Sequence, residues 1–329
     1  MRYLVTGGCG FVGSHLADHL IAGGDDVIAL DNLSTGGYRN VAHLDGNPRF
    51  RMLIGSVLDS GLVLEAVRDC DAVFHLASAV GVRLIMEQPT QTIQTIFQGT
   101  DTVLNHARRY RKPVLITSTS EVYGKSADVP FREDGDRLEG PTNKHRWAYA
   151  CAKALDEFLA LAHWKETRLP VVVARLFNTV GPRQSGQYGM VVPLFVRAAM
   201  AGEPVTVHGD GSQTRCFGHV ADIVDGIARL LKSPRAYGEV VNLGSTEEVS
   251  VRDLAARVVA MTGGRSTIRY VTHESVYGKD FEDMQRRVPS IAKARSLVGW
   301  QPQRNLNDIL RDVIEFLGPE TATAAPANS

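Results

Sequence analysis

Short apolar runs recur through the first half of the chain, each closed by small or polar residues. Residues 2–5, 27–30, 51–54, 72–77, 114–116 and 170–176 have the length and β-branched content of strands buried on both faces. Between several of them lie longer stretches with helical character, residues 14–22, 90–109 and 152–164. Strands alternating with helices at this rhythm predict βαβ units and a parallel sheet, an α/β, Rossmann-like, doubly wound architecture. Beyond residue 177 the texture changes. Residues 178–183 read as a turn, 191–201 as a helix, 205–207 as a short strand, and 240–244 as a strand that rejoins the main sheet. Helices are expected over 251–261, 291–298 and 306–317. The division expected is a first unit over 1–177, a smaller interleaved lobe over 178–317, and a disordered tail over 318–329.

The first strand runs into Gly7, Gly10 and Gly13, and then directly into a helix. In this context the first glycine permits the tight turn, the second lets backbone approach a pyrophosphate, and the third allows close helix–strand packing. The helix N-terminus offers free N–H groups to phosphates, with Phe11 and Val12 in its first turn. The second strand ends in Asp31-Asn32, and Asp31 stands 18 residues after Gly13. A carboxylate there accepts from adenosine ribose hydroxyls and repels a 2′-phosphate, which favours NAD over NADP. Ser56 and Val57 follow the third strand, and Leu76, Ala77 and Ser78 close the fourth, where small residues let backbone approach a dinucleotide. His15 and His19 have metal-compatible spacing, but no third ligand accompanies them and no metal is expected.

The densest polar chemistry follows the fifth strand: Thr117-Ser118-Thr119-Ser120-Glu121, then a loop, then Tyr149 and Lys153. In open α/β sheets, chemistry gathers beyond the C-terminal strand ends. Tyr149 and Lys153 stand one helical turn apart on one face. An ammonium there favours the phenolate and makes a base able to take a proton from a sugar hydroxyl.

Composition bounds the rest. With 329 residues the chain can bury a substantial core. Lys+Arg and Asp+Glu are balanced at 36 each, so net charge argues for neither nucleic acid nor an anionic membrane, and an anionic ligand must meet local arginines. No stretch approaches about 18 uninterrupted apolar residues, and no charged n-region with a long h-region opens the chain, so a cytoplasmic location is expected. Cys9, Cys70, Cys151 and Cys216 lack a C-x-x-C spacing and read as reduced thiols.

Taken together, the glycine turn, Asp31, the Thr119…Tyr149-x-x-x-Lys153 set and Arg175-Leu176-Phe177-Asn178-Thr179-Val180-Gly181-Pro182 resemble the extended short-chain dehydrogenase/reductases that act on nucleotide sugars. The resemblance spans roughly residues 2–317 and is narrowest to UDP-glucuronate decarboxylases (UDP-xylose synthases). Residues 118–124, 140–147 and 277–291 carry that narrower match.

The resemblance implies NAD as cofactor. It assigns C4 proton removal to Tyr149, with its phenolate stabilised by Lys153, and a hydrogen bond to the reacting oxygen to Thr119. Ser120, Glu121 and Arg287 complete the site around the uronate. Oxidation at C4 makes a ketone β to the C6 carboxylate, which can then lose CO2 without metal or pyridoxal. Arg83, Asn178, Arg183, Val192, His208, Arg215, Tyr277 and Arg287 are the substrate-binding candidates. The 4,6-dehydratases carry Asp-Glu where Ser120-Glu121 stands, and the 4-epimerases have small or apolar residues there, so Glu121 favours decarboxylation. The Gly81-Val82-Arg83 stretch looks more like the epimerase branch, and Ile96 stands where many relatives carry asparagine. The open alternatives are a UDP-sugar 4-epimerase, acting on UDP-glucuronate or UDP-glucose, and a non-catalytic NAD- and nucleotide-sugar-binding protein. Helices 90–109 and 152–164 resemble the pair by which these enzymes dimerise as a four-helix bundle.

Overall fold

The computed structural model describes residues 1–78, 88–144, 146–186, 190–272 and 284–323. The first part alternates strands and helices: β1 (Arg2–Thr6), α1 (Phe11–Ala22), β2 (Asp26–Asp31), β3 (Phe50–Ile54), α2 (Ser60–Arg68), β4 (Ala72–His75), α3 (Pro89–Tyr110), β5 (Val114–Thr119), α4 (Arg146–Thr167) and β6 (Val171–Leu176). There follow β7 (Thr179–Val180), α5 (Val191–Met200), β8 (Val205–His208), β9 (Thr214–Cys216), β10 (Gly218–His219), α6 (Val220–Lys232) and β11 (Glu239–Leu243). The last elements are β12 (Glu248–Ser250), α7 (Val251–Met261), β13 (Ile268–Val271), α8 (Ala292–Val298) and α9 (Leu306–Thr323).

Seven of these strands form one parallel sheet in the order β11-β6-β5-β4-β1-β2-β3. The order reverses at β1, so the crevice over its C-terminal end is where a doubly wound sheet takes its ligand. Because strand side chains alternate faces, each strand feeds two cores. Leu4, Val73, Val114, Ile116, Val171 and Val173 pack with Val63, Val103, Leu104 and Ala160 of α2, α3 and α4. Tyr3, Val5, Phe74, Leu115, Val172 and Ala174 pack with Leu16 and Leu20 of α1 and Ile223, Ile227 and Leu230 of α6. Each fully buried side chain of this size contributes roughly 1.5–3 kcal/mol, and a polar replacement at Leu115 or Val172 would break the layer. A third cluster joins α5, α7 and α9 with β8 through Val196, Leu254, Leu310, Val313 and Val207.

Several boundaries differ from the sequence reading. Helix α1 begins at Phe11 rather than residue 14, because Gly10 already caps it in extended backbone (φ −72°, ψ 176°); Gly13 therefore lies inside its first turn. Strand β5 runs on to Thr119, since the ladder to Ala174, Arg175 and Leu176 of β6 outweighs the polarity of its last residues. Helix α4 begins at Arg146 rather than 152, which places Tyr149 within regular helix. Helix α9 continues past 317 to Thr323, where a disordered tail was expected; burial of Val313 and Leu317 carries it beyond the glycine-proline stop signal. Helix α6 was not anticipated, although Val220, Ile223, Val224, Ile227, Leu230 and Leu231 follow helical spacing and are all buried. Strand β11 joins the main sheet beside β6, as its apolar run suggested.

Candidate active site

A cavity of about 780 Å³ opens over the C-terminal ends of β1, β4, β5 and β6. The glycine turn lies just before Phe11 and Val12, which line it. Gly7 sits at φ +71°, a conformation that side chains avoid. A Cβ added to Gly13 would lie 2.1 Å from the Gly7 carbonyl oxygen, so the helix approaches the turn as closely as backbone allows. Gly10 caps the helix, and Phe11 and Val12 behind it line the cavity. Asp31 ties the end of β2 to this turn: its Oδ2 accepts from the Cys9 amide at 2.9 Å and its Oδ1 from the Leu33 amide at 2.8 Å. Asn32 is exposed and accepts from the Ser34 amide and hydroxyl. Ser56 accepts from the Leu58 amide, and Val57 is buried against Gly99 of α3. Leu76 and Ser78 line the cavity, while the Ala77 amide donates to Thr6 Oγ1 at 3.2 Å. These residues form a cradle that a dinucleotide fits, with small residues wherever backbone must come close.

The polar cluster after β5 and the first turns of α4 meet on the same cavity: Thr119, Ser120, Glu121, Tyr149 and Lys153 all line it. Tyr149 and Lys153 share a face of α4, as their spacing requires. The expected electrostatics differ, however. The Lys153 ammonium lies 2.9 Å from Asp156, and both side chains are buried. Burial first, and then the Glu121 and Asp156 carboxylates, push the Tyr149 pKa well above its ordinary value and make the phenol a weaker acid, while the Ser78 and Thr119 hydroxyls act in the opposite direction. Burial and the two carboxylates thus oppose the phenolate that the Tyr149–Lys153 spacing favours. Behind Lys153, His75 is fully buried between two threonines, with Thr6 Oγ1 2.8 Å from Nδ1 and Thr100 Oγ1 3.1 Å from Nε2. Burial and the Lys153 charge push His75 down to about 3, so it is neutral.

The opposite wall carries the substrate-side candidates. Asn178, Val192, His208, Arg215 and Arg287 line the cavity. Arg287 comes from residues 284–290, which bridge to Phe131: the Phe131 amide donates to Val288 O at 2.8 Å and the Ser290 amide to Phe131 O at 2.9 Å. Its guanidinium pairs with Glu121 and reaches Asn178 Oδ1 at 3.4 Å, and its Nε is buried with no partner among the described residues. Arg215 donates to the Thr214 and Met284 carbonyls at 2.8 Å. Arg183 is placed elsewhere: it pairs with Asp18 of α1 at 2.7 Å and does not line the cavity. Arg83, Tyr277, residues 277–283 of the 277–291 match and the Gly81-Val82-Arg83 stretch lie outside the described residues. His15 donates to the Pro182 carbonyl at 2.9 Å, and Ile96 is buried within α3.

Sequence reading missed Asp156, although it stands one turn beyond Lys153. It also missed the His75–Thr100 contact and the lining residues Gln184, Met190, Phe195 and Phe217. The first was detectable from helical spacing; the others depend on how separate segments meet.

Comparison with known proteins places this geometry. The GDP-mannose 4,6-dehydratase family profile matches residues 4–313. A UDP-N-acetyl-alpha-D-glucosaminuronate decarboxylase of Bacillus cytotoxicus is 40% identical over 96% of this chain and 97% of its own length. The UDP-glucuronic acid decarboxylase 1 of Danio rerio is 37% identical over 97% of this chain and 73% of its own. Among solved structures, a UDP-glucuronic acid 4-epimerase from Bacillus cereus, in complex with UDP-glucuronic acid and NAD, superposes with a TM-score of 0.87 at 25% identity, covering 97% of this chain and all of that one. A dTDP-glucose 4,6-dehydratase from Streptomyces venezuelae, with NAD bound, gives a TM-score of 0.87 at 29% identity over the full length of both chains. With the glycine cradle, the tyrosine–lysine pair and near-complete coverage all agreeing, the chain belongs to the GDP-mannose 4,6-dehydratase family of extended short-chain dehydrogenase/reductases.

Proposed function

We propose that this protein is an NAD-dependent UDP-glucuronate decarboxylase. The observation that carries the reading is the Glu121–Arg287 pair closing on the cavity that also holds Thr119, Tyr149 and Lys153. A base couple alone serves any sugar oxidation. A buried arginine whose Nε has no partner among the described residues suits a second anionic group, the C6 carboxylate. Gly7, Gly10, Phe11, Val12, Gly13 and Asp31 would hold NAD, with Ser56, Val57, Leu76, Ala77 and Ser78 along its length. When bound, NAD supplies the hydride acceptor for C4 and the donor that can return it.

The chain's own residues do the rest. Tyr149 takes the C4 hydroxyl proton while Thr119 and Ser120 hydrogen-bond the sugar oxygens. Lys153 keeps a positive charge next to the developing phenolate. Arg287 holds the carboxylate in line with the ketone until the C5–C6 bond breaks and CO2 leaves, while Glu121 holds Arg287 in place. The bond's electron pair passes to the C4 ketone as an enolate, and C5 then takes a proton from water, which Arg287 is placed to help deliver. Asn178, His208, Arg215 and Val192 face the nucleotide half of the substrate.

Incubation with NAD and either UDP-glucuronate or UDP-N-acetylglucosaminuronate, followed by NMR, tests the reading. Loss of CO2 with a UDP-pentose or its 4-keto form is expected from UDP-glucuronate. An isomer of unchanged mass would make the protein a 4-epimerase, and absence of turnover would leave a binding protein. Faster turnover of the 2-acetamido uronate would move the substrate toward that of the Bacillus relative.

The exposed Leu155 and Phe158 on α4 and Ile93 on α3 give these packed helices an apolar outer face. It suits a homodimer through a four-helix bundle, testable by light scattering. Among the described residues no helix is long and apolar enough to cross a membrane. The four cysteines are unpaired, which fits the cytoplasm.

A further inference from the structure

Asp156 has no role in the chemistry set out above, yet it is placed where the base couple is most sensitive. It lies on α4 one turn after Lys153, its side chain is fully buried, and its Oδ2 is 2.9 Å from the Lys153 ammonium. A charge in such a position needs a purpose, because burial disfavours it unless a partner compensates. Lys153 is that partner, and the Thr100 hydroxyl of α3 also favours the carboxylate. We propose that Asp156 is a positioning residue for the catalytic couple: it holds the Lys153 ammonium in place and offsets its charge, and so limits how strongly Lys153 favours the Tyr149 phenolate.

The surroundings leave few other groups to do this. Tyr149 is faced by Glu121 after β5, by Ser78 after β4, by Thr119 of β5, and by Lys153 and Asp156 of its own helix. Lys153 is faced by Asp156 and, from β4, by His75, which is neutral and held by Thr6 and Thr100. Glu157, next along α4, is turned away to Arg175. Glu121 is paired with Arg287. Among the described residues Asp156 is thus the carboxylate that meets Lys153 directly, and both sit in surroundings where such charges act strongly.

The inference rests on Tyr149 being the base. Absence of CO2 release by the parent protein would strike at that reading alone, whereas titration of Tyr149 tests Asp156 without any turnover. Tyrosinate absorbance is recorded against pH for the parent and Asp156→Asn proteins, each corrected by subtracting its own Tyr149→Phe counterpart. In Asp156→Asn the Tyr149 signal is expected at lower pH, because the offsetting charge is gone while the ammonium remains. The same change is expected to raise turnover at pH 6, relative to its own plateau, by roughly tenfold over the parent.

A Tyr149 signal unmoved in Asp156→Asn, or a uniform loss of activity with an unchanged pH profile, would overturn the proposal and leave Asp156 as packing. Should the lone buried ammonium prevent Asp156→Asn from folding, Lys153→Met and Lys153→Met/Asp156→Asn supply the comparison. There the Tyr149 signal is expected at lower pH in the double variant, and equal positions would overturn the inference.

Discussion

Two buried arginine–glutamate pairs stand near the end of β5, and they differ in one respect. In the first, Arg175 is saturated. Its Nε donates to Glu157 Oε1 at 3.0 Å, one terminal nitrogen donates to Oε2 at 2.7 Å, and the other reaches the Glu133 carbonyl at 3.4 Å. The Tyr123 ring lies 4.7 Å beneath it, and Ser118 donates to the same glutamate. In the second, Arg287 pairs with Glu121, reaches Asn178 at 3.4 Å, and keeps its Nε buried on the wall of the cavity without a partner among the described residues. The first pair ties β6 to α4, and each of the three guanidinium nitrogens has a partner within the protein. Among the described residues the second leaves one donor over, which suits an outside anion.

The largest expected effect breaks the first pair. Glu157→Gln or Arg175→Met leaves one buried group uncompensated and should cost roughly 3–5 kcal/mol of stability, read by urea unfolding. A stable but inactive Arg175→Met protein would erase the distinction between the pairs. Next, Arg287→Met should lower kcat by roughly 10²–10³-fold, about 2.7–4 kcal/mol in the transition state, while shifting Tm little. A large fall in Tm would make Arg287 a second structural arginine.

A third measurement separates both pairs from acid sensitivity. His75 titrates near 3 when folded and near its ordinary value when unfolded, so between those values only the unfolded chain binds its proton. Stability is full above about pH 6.5 and should fall by about 1.4 kcal/mol per pH unit as pH drops toward 3. A His75→Gln variant should show a flatter slope; an equal slope would shift the blame to the carboxylates of the pairs. The smallest effect is Tyr123→Phe. It removes the hydroxyl that donates to Asn242 Oδ1 at 2.8 Å and should cost about 1 kcal/mol in stability. The variant should lose less activity than Arg287→Met, since Tyr123 does not line the cavity.

The contrast also shows what the chain announces and what it hides. The strand–helix rhythm, the glycine turn and the Tyr149–Lys153 spacing were legible, because each is local and its geometry follows from a few neighbouring residues. Helix α6 is legible too, in the helical spacing of apolar residues from Val220 to Leu231, though no polar motif marks it. The difference between Arg175 and Arg287 was not legible. Each is an arginine within a matching segment, and which one is saturated depends on Glu157 and Glu121 arriving from other elements. Arg183 shows the same limit, since Asp18 on α1 claims it. Asp156 fell between the two cases: its spacing was readable, but its burial was not.

Strand β11 arrives late in the chain yet extends the parallel sheet beyond β6, and the Phe177 amide donates to Leu243 O at 2.9 Å. The first half therefore cannot be excised cleanly. A fragment ending at residue 177 would present the whole outer rim of β6, from Val172 to Leu176, as open backbone seeking a partner. It should self-associate rather than bind nucleotide as an autonomous module.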